Sequence, residues 1–177
     1  MVFNVNIIYT MATQNRAWTT NDDWMTPKSA WEDIKDYIPK DDWLWEPFFG
    51  DGESGKYLTE LGFDTTHNKN EDFFEWDRGD CVCSNPPFSL IPKVLERLVE
   101  LNKPFILIMP ASKMHTQYFR KLFASHADPI QIIIPKKRIQ FLKMVDGVVD
   151  PKQKKACAFD CNYYCWRMNL PRDIVWL

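Results

Sequence analysis

Apolar residues along the chain fall into two kinds of block, and the blocks alternate. Short, mostly apolar runs at 43–46, 81–84, 105–109 and 130–134 read as strands, 63–67 reads as a further strand, and an aromatic, cysteine-bearing stretch at 156–166 closes the series. Between them, 31–37, 54–61, 91–101 and 118–125 read as helices. The clearest is 91–101, with Val94, Leu95, Leu98 and Val99 at helical spacing. Buried strands alternating with helices predict an α/β domain in which a mostly parallel sheet carries helices on both faces. Ligands of such sheets bind outside the carboxyl ends of the strands, where the strand order reverses.

Two of these strand ends carry candidate chemistry. The first reads WLWEPFFGDG over 43–52: a strand, an acid at Glu46, then a turn through Phe48, Gly50 and Gly52 into the helix at 54–61. Glycines at that spacing let a ligand approach the backbone closely. The spacing is not the GxGxxG dinucleotide fingerprint, and no Gly-Lys-Ser/Thr follows to cradle phosphates, so nicotinamide and nucleoside triphosphate cofactors are disfavoured. The second strand end is Ser84-Asn85-Pro86-Pro87-Phe88. An Asn side-chain oxygen and the carbonyl between two prolines can both accept hydrogen bonds from one planar amine, drawing it towards sp3 and freeing its lone pair. The prolines fix φ and donate nothing, so the loop stays rigid. Phe88 offers a face on which a planar base could stack. A plain Pro-Pro turn and a plain strand-to-helix turn are the alternatives for each motif taken alone.

Together the motifs resemble the amino-directed methyltransferases that use S-adenosylmethionine, and most closely the small phage and viral DNA adenine methyltransferases. In that family an E/D-P-F-x-G-x-G segment binds the cofactor and an S/N/D-P-P-Y/F/W segment holds the target amine; here these are Glu46 to Gly52 and Asn85 to Phe88. Three further segments fall in the family's order. Thr26 and Pro27 resemble the threonine-proline segment beside the methionine end of the cofactor, and Asp72-Phe73 the pair that brackets its adenine. Arg138-Ile139-Gln140-Phe141 resembles the Arg-Ile-x-Phe signature of the phage enzymes. The resemblance covers about residues 24–166. It implies the Rossmann-like class I methyltransferase fold, a mostly parallel seven-stranded sheet of order 3-2-1-4-5-7-6 with its last strand reversed. It also implies roles: Asn85 and Pro86 hold the adenine 6-amino group, Pro87 shapes the loop, and Phe88 stacks on the base. Thr26, Pro27, Glu46, Phe48, Gly50, Gly52, Asp72 and Phe73 are the implied cofactor contacts.

Composition narrows the picture. A chain of 177 residues, 45% hydrophobic, supports one substantial core and is too short for two ordinary domains, so 21–177 is expected to form a single methyltransferase domain behind a mobile segment at 1–20. Only 33 positions separate Gly52 from Asn85, which leaves no room for a target-recognition domain there. Specificity must then be short or relaxed, come from loops, or be supplied by a homodimer or a separate recognition subunit. No apolar run approaches the roughly 18 residues of a membrane span. The start lacks a basic n-region and cleavage site, so an intracellular protein is expected, with Met11 as an alternative start. The five cysteines, an odd number, argue against a closed disulfide framework. Cys157, Cys161 and Cys165 recur every four residues, which along a strand spans about 13 Å, too far for one ion; only as a helix would the spacing suit a metal, and none is expected. The three histidines are scattered and receive no role.

Formal net charge is −2, which by itself does not suggest a polyanion partner, but its distribution does. Lys136, Lys137, Arg138, Lys143, Lys152, Lys154 and Lys155 face only Asp146 and Asp150 over 136–155. If that stretch is the loop between the last two strands, Lys136, Lys137, Arg138 and Lys143 are candidate phosphate contacts beside the site, with DNA the expected partner. Other readings differ by substrate or class: RNA adenine, a protein glutamine amide, the guanine 2-amino group, or a catalytically silent nucleic-acid-binding subunit.

Overall fold

The computed structural model describes residues 22, 24–145, 148–150 and 159–177. Among these residues ten strands and four α-helices follow in chain order: β1 (Trp24–Met25), α1 (Lys28–Glu32), β2 (Leu44–Trp45), α2 (Glu53–Glu60), β3 (Thr65–Thr66), β4 (Cys81–Ser84), α3 (Ile91–Glu100), β5 (Phe105–Pro110), α4 (Gln117–Phe123), β6 (Ile130–Ile134), β7 (Leu142–Val145), β8 (Val148–Val149), β9 (Cys161–Trp166) and β10 (Ile174–Trp176). The main sheet has seven strands in the order β10-β6-β9-β5-β4-β2-β3. All neighbours are parallel except β9, which runs antiparallel to both β5 and β6.

Alternation along the strands divides the core in two. Leu44, Cys81, Cys83, Ile106, Ile108, Tyr163 and Cys165 pack with Ala30 and Trp31 of α1 and Leu58 of α2. Trp45, Val82, Phe105, Leu107, Tyr164 and Trp166 point the other way, onto Ile91, Val94, Leu95 and Leu98 of α3 and Phe119 and Phe123 of α4. Successive side chains of a strand face opposite sides, so apolar residues at every position mean a sheet covered on both faces. Burial pushes the thiols of Cys81, Cys83 and Cys165 up from their ordinary range, and all are buried and unbridged.

The structure departs from the sequence expectations at the edges. In the implied order, β3, β2, β4, β5, β9 and β6 stand in sequence as strands 2-1-4-5-7-6. Among the described residues no strand lies outside β3; the seventh strand is instead β10, beside β6 at the far edge. The basic stretch is not simply a loop. Within it β7 and β8 pair as a hairpin, and β7 also takes β1 as an antiparallel neighbour, with Trp24 opposite Lys143 and Met25 opposite Leu142. The helix expected at 31–37 is α1, starting earlier at Lys28, followed by a separate 3₁₀ turn at Lys35–Tyr37. Residues 1–20, Lys152, Lys154, Lys155, Cys157 and Asp146 lie outside the described residues. Among the described residues no helix is long and apolar enough to cross a membrane.

Candidate functional site

β2 and β4 are parallel neighbours, with Trp45 opposite Val82, so the residues that follow them emerge side by side at the carboxyl edge of the sheet. The chain leaves β2 to build β3 on one side and returns to build β4 on the other, which makes this the point where the order reverses. Glu46 follows β2 and is 1% exposed. Its Oε1 accepts a hydrogen bond from Ser84 Oγ at the end of β4 and one from the Phe48 amide at 3.3 Å. From the end of β3, His67 Nδ1 lies 3.0 Å from the Glu46 carbonyl oxygen and 2.8 Å from Oε2. The buried acid thus ties together three strand ends. Burial alone would lower the His67 pKa, but the hydrogen bond and charge of Glu46 outweigh it, and the imidazole sits above its usual 6.5.

The turn between Glu46 and α2 is shaped by its glycines. Gly50 has φ +54° and Gly52 φ +86°, in the left-handed region that side chains avoid. A Cβ on Gly50 would fall 2.9 Å from Met25 Sδ, and one on Gly52 2.8 Å from the Phe49 ring. Asp51 Oδ1 accepts from the Glu53 amide at 3.0 Å, closing the turn onto the start of α2. Trp31 Nε1 donates to Ser54 Oγ at 3.0 Å, fixing that first helical turn against α1. The His67 ring stacks on Phe49 with centroids 4.5 Å apart.

Asn85 follows β4. Its Nδ2 donates to the Trp24 carbonyl oxygen at 3.2 Å, while its Oδ1 is buried with no hydrogen-bond partner among the described residues. The reversed amide would set two acceptors face to face, so the oxygen is the atom left over. The Pro87 carbonyl is taken by the Leu90 amide at 2.9 Å as the chain turns into α3; the Pro86 carbonyl accepts none among the described residues. Asp22, 5% exposed, accepts from the Ser89 amide at 3.3 Å and from Ser89 Oγ at 2.5 Å, so the approach to β1 is bonded to the residue after the Asn-Pro-Pro-Phe loop.

These parts enclose a cleft of about 270 Å³, counting space open to solvent, lined by Trp24, Met25, Thr26, Glu46, Phe48, Phe49, Gly50, Asp51, Ser54 and Asn85. The structure therefore brings Thr26, Glu46, Phe48, Gly50 and Asn85 together. Pro27, Gly52, Asp72, Phe73, Pro86, Pro87 and Phe88 lie outside the lining. Phe73 is 2% exposed and packs on Trp45 and Phe48, so it reaches the cleft only through Phe48. Asp72 Oδ1 accepts from the Phe74 amide at 2.8 Å. Phe88 meets Phe159 and Phe141 edge-on, at 5.2 Å and 6.4 Å. Lys136 and Lys137 are exposed, Arg138 is 2.6 Å from Asp160, Ile139 and Phe141 are core residues, and Lys143 sits half-buried on β7.

Sequence reasoning missed Trp24, Met25, Phe49, Asp51 and Ser54 as lining residues and gave His67 no role. Phe49, Asp51 and Ser54 lie within or beside the quoted motif; Trp24 and His67 sit on two-residue strands or next to them, where no local pattern marks a site. No family model, curated protein or solved structure matches this chain.

Proposed function

We propose that the chain transfers a methyl group from S-adenosylmethionine to the exocyclic 6-amino group of adenine in DNA, on a sheet of the class I methyltransferase kind. The observation that carries this reading is the Asn85 side chain: its donor is committed to Trp24, and its buried acceptor, at the lining of the cleft, has nothing to accept. A buried acceptor without a donor is costly, and an incoming amine would satisfy it. The Pro86 carbonyl, which accepts no backbone hydrogen bond among the described residues, is the second candidate acceptor on the same loop. Two acceptors directed at one –NH2 group favour the pyramidal form in which its lone pair is free.

The residue types around the cleft also suit the implied cofactor. Gly50 and Gly52 hold a left-handed turn packed so closely on Met25 and Phe49 that a Cβ at either would collide, which fixes the wall that Gly50 contributes to the cleft. Glu46 and Asp51 supply negative charge beside the aromatic walls of Phe48 and Phe49. Thr26, Pro27, Glu46, Phe48, Gly50, Gly52, Asp72 and Phe73 would hold S-adenosylmethionine, with Phe73 acting through Phe48. When bound, it supplies an electrophilic methyl group on sulfur. The protein's part is then to align the amine behind that methyl and keep water out.

A base within a duplex cannot reach Asn85, so activity on duplex DNA requires extrusion of the target nucleotide. Lys136 and Lys137 leave β6 at the same edge of the sheet as Glu46 and Asn85 and are exposed, as phosphate contacts need to be. The test is Asn85→Ala: methyl transfer falls by roughly 100-fold or more, while calorimetry shows S-adenosylmethionine affinity close to wild type. An Asn85→Ala protein that transfers methyl at the wild-type rate overturns the proposal.

A further inference from the structure

Glu46 lines the cleft with one of its two oxygens uncommitted. Oε1 is taken by Ser84 Oγ and the Phe48 amide. Oε2 lies 2.8 Å from His67 Nδ1, but that nitrogen is aligned on the Glu46 carbonyl oxygen at 3.0 Å, so Oε2 stays buried with no well-aligned donor among the described residues. A carboxylate that is 1% exposed needs a counter-charge, and the imidazole beside it is the group placed to supply one. The other sides of His67 are closed by groups without charge. The Phe49 ring stacks on it with 8° between the planes, a Cβ on Gly55 of α2 would fall 2.2 Å from its Cγ, and the Gly52 backbone faces it. Glu46 is the charge that holds the ring, and Asp51, the other acid of the lining, is engaged by the Glu53 amide.

We infer that His67 is a positioning residue of the cofactor site: it is the counter-ion of Glu46 in the free protein, and it releases a proton to solvent as Oε2 receives a cationic group of S-adenosylmethionine, its sulfonium or its ammonium. This rests on the proposed function above and adds to it a residue that acts on the cofactor only through Glu46. Two cations beside one buried carboxylate oxygen repel each other, so binding lowers the affinity of His67 for its proton. The proton leaves from Nε2, which has no hydrogen-bond partner among the described residues, while the Nδ1 hydrogen stays on the Glu46 carbonyl oxygen. The ring therefore keeps its place against Phe49 in both charge states. By linkage, a site that sheds a proton on binding binds more tightly as pH rises.

The test measures S-adenosylmethionine affinity by calorimetry from pH 5.5 to 8.5 on wild type and His67→Asn, in two buffers of different ionisation enthalpy so that released protons are counted. Asn keeps a donor for the Glu46 carbonyl but cannot titrate. Affinity of wild type is expected to rise with pH by about tenfold more than that of His67→Asn, the effect of one unit of pKa, with proton release in wild type that the variant lacks. The amino group of the ligand titrates alike against both proteins, so the difference between them belongs to His67. NMR of the His67 ring in wild type should show it titrating about one unit lower with S-adenosylmethionine bound than without; this second measurement decides the matter even if His67→Asn fails to fold. Equal pH dependence in wild type and a folded variant, or a His67 titration that S-adenosylmethionine leaves in place or moves upward, overturns the inference and leaves the methyl-transfer reading standing. A wild-type protein that binds no S-adenosylmethionine at any of these pH values overturns the underlying reading, and this inference with it.

Discussion

Glu46, Ser84 and His67 show how a single buried acid organises three strand ends. Its Oε1 serves Ser84 and the Phe48 amide, and His67 closes on the other oxygen, so the carboxylate holds β2, β3 and β4 in register at the edge where the cleft opens. The ion pair ties pH to stability. The His67 pKa is raised above its usual 6.5, so the protonated ring is favoured in the folded state. Its contribution to stability is fully present below about pH 6.5 and is lost as pH rises through the higher folded value. The thermal midpoint of wild type should therefore exceed that of His67→Asn by most below that pH, with the gap narrowing above it; a gap that widens with rising pH contradicts the pairing. At this scale the sequence was partly legible. Glu46 and Asn85 stand in motifs whose chemistry can be named from residue type alone. His67 could not be found that way, because its role depends on β3 lying beside β2, which is a long-range pairing.

The small sheet β1-β7-β8 is the element that completes the site, and local sequence gave no sign of it. β1 and β8 are two residues long, too short for an alternating pattern, and β1 forms only because β7 offers it an edge. By contrast β4, β5, β6 and β9 are long enough, and apolar enough on both faces, to be read directly. The packing of α2 gives a test at this scale. Replacing a glycine by alanine in an open helix stabilises it by about 1 kcal/mol. At Gly55 a Cβ would lie 2.2 Å from His67 Cγ, where the ring is held by Glu46 and stacked on Phe49. Gly55→Ala should therefore destabilise the protein by about 1–3 kcal/mol in denaturant unfolding. A stabilised variant would show that His67 does not sit against α2.

At the scale of the whole molecule, the carboxyl edge of one seven-stranded sheet gathers the acid, the glycine turn, the amide and the exposed lysines that leave β6. The alternation of strands and helices made that gathering foreseeable, since it forces parallel strands whose carboxyl ends share an edge. The outer strands were not foreseeable: β10 replaced the strand expected beyond β3 because a three-residue edge strand is specified by pairing with β6 more than by its own composition. If the lysine edge meets phosphates, the double variant Lys136→Ala, Lys137→Ala should weaken DNA binding and reduce the slope of log K against log salt by about 1 to 2; an unchanged slope marks them as solvated surface. The most direct measurement of the proposed transfer incubates the protein with S-adenosylmethionine carrying a labelled methyl group and with unmethylated DNA, RNA or total protein, then identifies the labelled product by nucleoside mass spectrometry. Label is expected in DNA as N6-methyladenine. Label confined to RNA or protein, or no label in any substrate, would contradict the proposal.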